Sequence, residues 1–197
     1  GSKQLAILGV LTALNAVIRL LGAGTAGIET AFFLIIIAAY VFGSGFGFLL
    51  GAGSLLVSAL LTGGVGPWLP FQMVAAGLVG IGAGILPKSN SKTIQLVILS
   101  SFGILASFAY GALMTLWNWP FLAGMDSSLS YSAGAGAIVN LEKFWQYQLL
   151  TGGLLWDLGR AVTTTILMLL TATPLLTSLR RASAKAGYVT KRASSKI

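Results

Sequence analysis

The sequence predicts an all-α integral membrane protein, folded as a compact bundle of six transmembrane helices. Of its 197 residues, 56% are hydrophobic and only 8% are charged, and the mean hydropathy is +0.90. A soluble domain carries about 25% charged residues, so this composition indicates a chain that lies in lipid. The 26 glycines agree with that class, because membrane helices pack closely through small residues.

Six apolar segments follow one another along the chain. They run over residues 5–21, 28–43, 46–62, 69–86, 93–117 and 144–176. A bilayer core of about 30 Å needs about 20 helical residues, so the second and third segments are short. They meet at Gly43-Ser44-Gly45, where we expect two short spans and keep a re-entrant pair as the alternative.

Small residues recur one turn apart in the middle of the chain. Such spacing lets another membrane helix approach backbone to backbone. The two sets are Gly43, Gly47 and Gly51 around the third segment, and Ala76, Gly80 and Gly84 in the fourth.

The lysines and arginines predict the topology. They precede the first segment, separate the fourth from the fifth, and follow the sixth: Lys3, Lys88, Lys92, Arg180, Arg181, Lys185, Lys191, Arg192 and Lys196. With six spans all of them fall on one side, which the positive-inside rule assigns to the cytoplasm. We therefore expect a transmembrane substrate-binding domain over 1–179 and a basic cytoplasmic tail over 180–197, with both termini in the cytoplasm. Topology thus accounts for the net charge of +8, and no nucleic-acid partner is expected.

The remaining strongly polar side chains gather near the opposite, outer face. Arg19 lies about 24 Å along a helix from Lys3, and Glu29 begins the second segment. Ionisable residues inside a membrane face interiors or cavities and are functional candidates by default. A structural alternative holds for the sixth segment, where an i,i+3 pair of Asp157 and Arg160 would lock the helix.

All five tryptophans fall in the same outer layer. An aromatic belt should appear at both interfaces, but none of the tryptophans falls at the inner one. This asymmetry favours an outward-facing aromatic pocket in addition to an ordinary outer belt. Several indoles with amide and charged groups suit a flat heteroaromatic ligand that bears polar substituents. The predicted substrate-binding residues are Arg19, Glu29, Trp68, Gln72, Trp117, Trp119, Asn140, Trp145, Gln148 and Asp157.

The composition also excludes several chemistries. The sequence contains no Cys and no His, which removes thiolate and imidazole metal ligands and the corresponding nucleophiles. With only four acidic residues, we expect neither an enzyme nor a metal or cofactor site. No Gly-x-x-x-x-Gly-Lys-Ser/Thr phosphate-binding loop is present, so we do not expect this chain to bind ATP in that way.

Two stretches carry a family resemblance: RLLGAGTAGIE at 19–29 and GGVGPWLPFQMVAAGLVGIGAGILP at 63–87. In a six-span, glycine-rich chain they resemble the substrate-binding S component of an energy-coupling factor (ECF) transporter, over nearly the whole chain. The resemblance implies a subunit of the prokaryotic cytoplasmic (inner) membrane that captures a vitamin or vitamin precursor from outside. A gating loop between the first two helices and the long external loop over 118–143 would cover the ligand.

The resemblance also implies partners, namely a transmembrane coupling subunit and two ATPase subunits. In the family, helix one meets the coupling subunit through Ala-x-x-x-Ala. Here the matching positions are Gly9 and Ala13, which keep the small-residue spacing. We expect Ala6, Gly9, Ala13 and Ala16 to form an exposed face, with packing inside the bundle as the alternative. An autonomous carrier or channel is the alternative function, and it would need polar residues through the inner half, where only Ser and Thr occur.

Overall fold

The computed structural model describes residues 1–22, 25, 27–121 and 128–187. Within these ranges the regular structure is helical, without strands. The helices are α1 (Ser2–Leu20), α2 (Phe32–Phe42), α3 (Ser44–Thr62), α4 (Leu69–Ile85), α5 (Lys92–Asn118), α6 (Ala137–Leu150) and α7 (Gly153–Lys185), with a 3-10 turn at Trp119–Phe121 after α5.

Four of these helices, α1, α3, α5 and α7, are long and apolar enough to cross a membrane, whereas α2 and α4 are apolar but shorter. The predicted all-α membrane class is therefore confirmed. With 11 residues, α2 extends only about 16 Å, roughly half of a bilayer core of about 30 Å. Six complete spans remain a proposal.

The prediction of one continuous sixth helix over 144–176 is wrong. The structure has two helices there, because α6 ends at Leu150 and α7 begins at Gly153. Gly152, between them, has a φ of +79°, a left-handed conformation that glycine adopts readily and that interrupts an α-helix. Helix α7 then continues unbroken to Lys185, past the proposed domain boundary at residue 179.

Helix α2 lies at the centre of the bundle. Its sequence, FFLIIIAAYVF, is apolar on every side, and ten of its eleven residues are buried. A helix of this composition needs protein or lipid all round it, and α2 contacts α3, α4, α5 and α7. Packing thus overrides the modest helix propensity of the three consecutive isoleucines.

The small residues of α3 and α4 face each other. A Cβ added to Gly47 would lie 2.5 Å from the carbonyl oxygen of Gly80, and one added to Gly51 would overlap the backbone of Ala76. The two predicted sets of small residues therefore pack together, and a larger side chain at either glycine would force the helices apart.

Helix α1 lies against α3 and is joined to it by two hydrogen bonds one turn apart. Asn15 Nδ2 donates to Ser54 Oγ at 3.1 Å, and Arg19 Nη1 donates to Ser58 Oγ at 2.7 Å. Because both bonds span 39 residues, the two helices run parallel and in register. Parallel packing carries Arg19 to the same end of the bundle as the last turn of α3.

The other side of α1 is open. Ala6, Gly9 and Ala13 are exposed, and a Cβ added to Gly9 would meet nothing within 4 Å. The expectation that Ala16 shares this exposed face is wrong, because Ala16 is completely buried. It lies beside Asn15, on the side of the helix that packs into the bundle.

The predicted cationic loops come to one end of the bundle. Gly1 lines a cavity together with Gly43, and Lys88 contacts Tyr40 near the end of α2. Arg180 of α7 acts electrostatically on Lys88. We call this the lysine end. The opposite, outer end carries the predicted polar layer, including Arg19, Glu29, Gln72 and Asp157.

Candidate functional site

A cavity of about 480 Å³ lies at the outer end of the bundle. It is formed by the end of α1, the residues before α2, and the outer ends of α3, α4, α5 and α7. Its lining residues are Arg19, Gly22, Thr25, Ile28, Glu29, Thr62, Gln72, Tyr110, Met114, Trp156 and Arg160. We call it the outer cavity, and it brings together three of the predicted site residues, Arg19, Glu29 and Gln72.

Arg19 lies in the last turn of α1, where a cation interacts favourably with the helix dipole. Its Nη1 is engaged by Ser58, but its Nε is buried without a hydrogen-bond partner in the described part of the chain. Leaving a buried charged donor unpaired is costly. The guanidinium of Arg19 is thus only partly satisfied by the protein, and Arg19 lines the cavity.

Glu29 has a structural as well as a cavity-lining position. One carboxylate oxygen accepts the backbone N–H of Ala31 at 3.1 Å, which supplies a partner for one of the unpaired donors at the start of α2. The neighbouring Thr30 hydroxyl donates to the carbonyl oxygen of Ile18 at 2.6 Å. These two bonds hold the non-helical residues before α2 against the end of α1, so that Glu29 stands at the cavity wall.

A second cavity, of about 340 Å³, adjoins the first and shares Met114, Trp156 and Arg160 with it. Asp157 lines this second cavity, but its carboxylate is already paired. It accepts from Arg160 Nη1 at 2.8 Å and from Gln148 Nε2 at 3.2 Å. The ion pair of Asp157 and Arg160 is thus the one that the sequence analysis gave as the structural alternative.

Asp157 and Gln148 therefore hold Arg160 in place. Arg160 Nη1 also donates to the carbonyl oxygen of Ser107 on α5, at 3.1 Å, and its guanidinium carbon lies 5.0 Å from the centre of the Tyr110 ring. Breaking such a buried pair by removing one partner typically costs about 3–5 kcal/mol. Among the residues that line both cavities, Arg160 is the one that carries a charge.

A glycine on the neighbouring helix makes this network possible. A Cβ added to Gly111 of α5 would occupy the place of the Asp157 carboxylate. The close approach of α5 and α7 at this point therefore depends on the missing side chain.

Six predicted site residues line neither cavity. One is Gln148, which is buried against Asp157, and the other five are Trp68, Trp117, Trp119, Asn140 and Trp145. Trp68 precedes α4 and is 47% exposed, and Trp145 is exposed on α6. The Trp117 ring lies 6.4 Å from the ring of Phe71, with a buried indole nitrogen that has no partner among the described residues. Trp119 lies in the 3-10 turn after α5, and Asn140 lies in the first turn of α6, so the external loop predicted over 118–143 is shorter than expected because α6 begins at Ala137.

These last two residues organise the loop from within. Trp119 Nε1 donates to the carbonyl oxygen of Leu129 at 2.8 Å. Asn140 accepts from the N–H of Ser132 at 2.9 Å and donates to the carbonyl oxygens of Ser132 and Ala135. The indole N–H of Trp119 and the amide of Asn140 are thus paired with residues of the connection between α5 and α6. Residues 122–127 of the expected lid, and 23, 24 and 26 of the expected gate, lie outside the described residues.

Three prominent lining residues are missing from the predicted site: Tyr110, Trp156 and Arg160. Arg160 was paired with Asp157 as a structural element, and Trp156 was counted only in the outer aromatic layer. Tyr110 gives a weaker signal, a single phenol in the apolar fifth segment. Within the described ranges, no group of three or more acidic residues is close enough to hold a metal ion.

Comparison with known proteins supplies the family. A family model described as ECF transporter, substrate-specific component, matches residues 3–176, a range that includes every residue lining the outer cavity. The searches of curated proteins and of solved structures gave no match. The matched family is one of transporter components and is not an enzyme family. This multi-pass membrane protein therefore belongs to the family of ECF transporter substrate-specific components.

Proposed function

We propose that this chain is the high-affinity substrate-binding subunit of an ECF-type ABC importer, and that it captures a vitamin or vitamin precursor from outside for ATP-driven uptake. The observation that carries the proposal is the outer cavity, which gathers Arg19, Glu29, Gln72, Tyr110 and Arg160 at the end opposite the lysines. Its volume of about 480 Å³ falls within the usual 300–1,000 Å³ range for small-molecule sites.

The lining favours a flat ligand with polar substituents. Trp156, which is half exposed, offers an aromatic surface for stacking, and the guanidinium groups of Arg19 and Arg160 suit carboxylate, phosphate or amide oxygens. Glu29 is an acceptor for a donor on the ligand. A heteroaromatic or corrinoid-like vitamin combines these features, and the adjoining cavity gives room for a side group.

A transported solute would have to pass the centre of the bundle. The aliphatic packing there favours a binding subunit over an autonomous carrier or channel. Ile35, Ile36 and Ile37 of α2 are completely buried between the outer cavity and the lysine end. These aliphatic side chains offer a polar solute no hydrogen-bond partners. We propose that energy and movement come from a transmembrane coupling subunit and two ATPase subunits.

The exposed face of α1 is the proposed contact with the coupling subunit. Gly9 and Ala13 leave that face open, and in lipid such a face gains most from close packing against another helix. The gathering of cations at the lysine end supports a location in the prokaryotic cytoplasmic membrane with both termini in the cytoplasm.

Native mass spectrometry of the purified chain tests the proposed function. We expect one small molecule to be retained per chain, and its mass and fragmentation will identify the vitamin class. Arg19→Ala should release most of it, because the variant removes a charged donor of the cavity. If the wild-type chain retains no small molecule and none of the B-group vitamins added back binds to it, the proposal is wrong.

A further inference from the structure

The lysine end of the bundle contains a cavity that takes no part in the proposed uptake site. Its volume is about 440 Å³. The lining comes from the end of α2, the connection between α4 and α5, and the last turns of α7: Tyr40, Val41, Lys88, Ser89, Asn90, Arg180, Ser183 and Ala184. We call it the inner cavity.

The connection that forms one wall of the inner cavity is fixed by Tyr40. This side chain is 1% exposed, so the phenol is anchored in the core. Its hydroxyl donates to the carbonyl oxygen of Pro87 and accepts from the N–H of Ser89, both at 3.1 Å. Gln95 of α5 donates to the carbonyl oxygen of Ser89 from the other side. The residues between α4 and α5 are therefore held in one conformation.

Lys88 is held by the same tyrosine. Its ammonium nitrogen lies 2.5 Å from the carbonyl oxygen of Tyr40 and 3.9 Å from the centre of the Tyr40 ring. Partial burial, and then the positive charge of Arg180, lower the pKa of Lys88 from its ordinary value. The two cations are thus close enough to repel each other in the absence of an anion.

Among the described residues, this end of the bundle offers no carboxylate to balance them. The four acidic residues of the sequence are Glu29, Asp126, Glu142 and Asp157, and none falls within 85–92 or 176–187, the segments that supply Lys88 and Arg180. The cations of the inner cavity therefore have no acidic partner in these segments. An anion from outside the chain would relieve their repulsion.

The inner cavity lies at the depth of the lipid headgroups. Helix α7 has 33 residues and is about 50 Å long, whereas the hydrocarbon core is about 30 Å thick. The helix is thus about 20 Å longer than the core, and because its apolar part lies before Leu179, we assign the excess to the last turns, with Arg180 and Ser183. Lys88 follows the end of α4 by three residues and lies at the same level. The anion present there at high local concentration is the phosphate of a phospholipid.

We propose that the inner cavity binds the phosphate group of an anionic phospholipid, with Lys88 and Arg180 as its charged donors. Arginine suits phosphate because its planar fork donates two parallel hydrogen bonds, and a lysine adds a point charge. The Ser89 hydroxyl and the Asn90 amide, which also line the cavity, supply neutral donors. A bound lipid would join α2, α4 and α7 at the membrane surface, away from the substrate.

Retention of lipid by the purified chain tests this proposal. The chain is reconstituted into nanodiscs that contain phosphatidylglycerol and phosphatidylcholine, and is then released from them for native mass spectrometry. Wild type should retain phosphatidylglycerol preferentially, and Arg180→Gln and Lys88→Gln should each lower that preference about tenfold or more, the effect of removing one hydrogen bond between a cation and the phosphate. Arg181→Gln is the matched control, since Arg181 is equally exposed on the same helix but does not line the cavity.

Further measurements distinguish a lipid phosphate from free inorganic phosphate and from a protein partner. Arg180→Lys keeps the charge and should keep most of the preference, which also guards against misfolding of the Gln variants. Inorganic phosphate at millimolar concentration should not displace the lipid. Equal preference in Arg180→Gln and Arg181→Gln would overturn the proposal, as would displacement by inorganic phosphate. Loss of association with a coupling subunit in Arg180→Gln without any change in lipid retention would assign the cavity to a protein partner instead. Small-molecule retention at the outer cavity should be unchanged in every variant, so the two proposals fail independently.

Discussion

Replacement of Arg19 by alanine removes one charged donor from the outer cavity while leaving the neighbouring turn of α1 attached to α3. The hydrogen bond of Asn15 to Ser54, one turn away, keeps the two helices in register. Only the bond of Arg19 to Ser58 and the unpaired Nε are lost. The variant therefore probes the cavity more than the scaffold.

The expected loss of affinity follows from the type of bond. A hydrogen bond to a charged group contributes about 1.5–3 kcal/mol, which corresponds to a decrease in affinity of roughly ten- to a hundredfold. The bond to Ser58 also has a charged donor, so its loss should lower the free energy of unfolding by up to about 1.5–3 kcal/mol, less the cost of the buried unpaired Nε that the variant also removes. Because stability falls as well, the loss of affinity must be judged against a control that weakens the same pair of helices.

Isothermal titration with the ligand identified by mass spectrometry measures the first quantity, and thermal unfolding in detergent measures the second. Asn15→Ala is the matched control, because it removes the other side-chain bond between α1 and α3 without touching the cavity lining. We expect Asn15→Ala to lower stability by about 1 kcal/mol and to leave affinity unchanged. Equal affinity of Arg19→Ala and wild type, or an equal loss in both variants, would refute the assignment of Arg19 to the ligand site.

Three further predictions follow from the packing. Gly111→Ala should destabilise the chain by about 3–5 kcal/mol, because the methyl group displaces a buried ion-pair carboxylate. Gly103→Ala on the same helix, where the added Cβ meets only side-chain methyl groups, the nearer at 3.1 Å, should cost far less, and equal melting temperatures of the two variants would contradict this. Gly9→Leu/Ala13→Leu should fold and bind ligand but fail to co-purify with a coupling subunit, and normal assembly would place the contact elsewhere. Hydrogen exchange of residues 21–30 should slow when ligand is bound, whereas identical exchange would make this segment a turn without a gating role.

The membrane class and the polar outer layer could be predicted from the sequence because both depend on composition and on position along a helix. Arg19, Glu29 and Gln72 belong to different helices or loops, yet each lies near the outer end of its segment. In a bundle of alternating spans these ends meet, so proximity follows from topology alone. The facing sets of small residues could be anticipated for the same reason, since their spacing fixes one face of each helix.

The errors came from features that averaged hydropathy does not resolve. Residues 144–176 are apolar enough to read as one segment, and the helix break depends on the φ of Gly152. The tryptophans show a second limit. An indole that stacks on a ligand and one that fastens a loop, as Trp119 does through Leu129, have the same position in the sequence. Only the three-dimensional contacts distinguish them.

Arg160 illustrates the same limit for charges. Its spacing from Asp157 correctly indicated an ion pair, but the pair leaves the guanidinium on the wall of both cavities. A structural role and a place in the site are therefore not exclusive. The i,i+3 spacing predicts only the pair within α7. It cannot predict the cavity, because α1, α3, α4 and α5 form its other walls.

Uptake by reconstituted proteoliposomes tests the central claim, that this chain binds its substrate but does not transport it unaided. The labelled ligand is offered to vesicles that contain the chain alone, and to vesicles that also contain a coupling subunit and its ATPases with ATP enclosed on the ATPase side. We predict that the chain alone retains about one ligand per outward-facing molecule without accumulation, and that the complete assembly accumulates ligand only with ATP. Accumulation or sustained flux through the chain alone would contradict the account and identify an autonomous carrier.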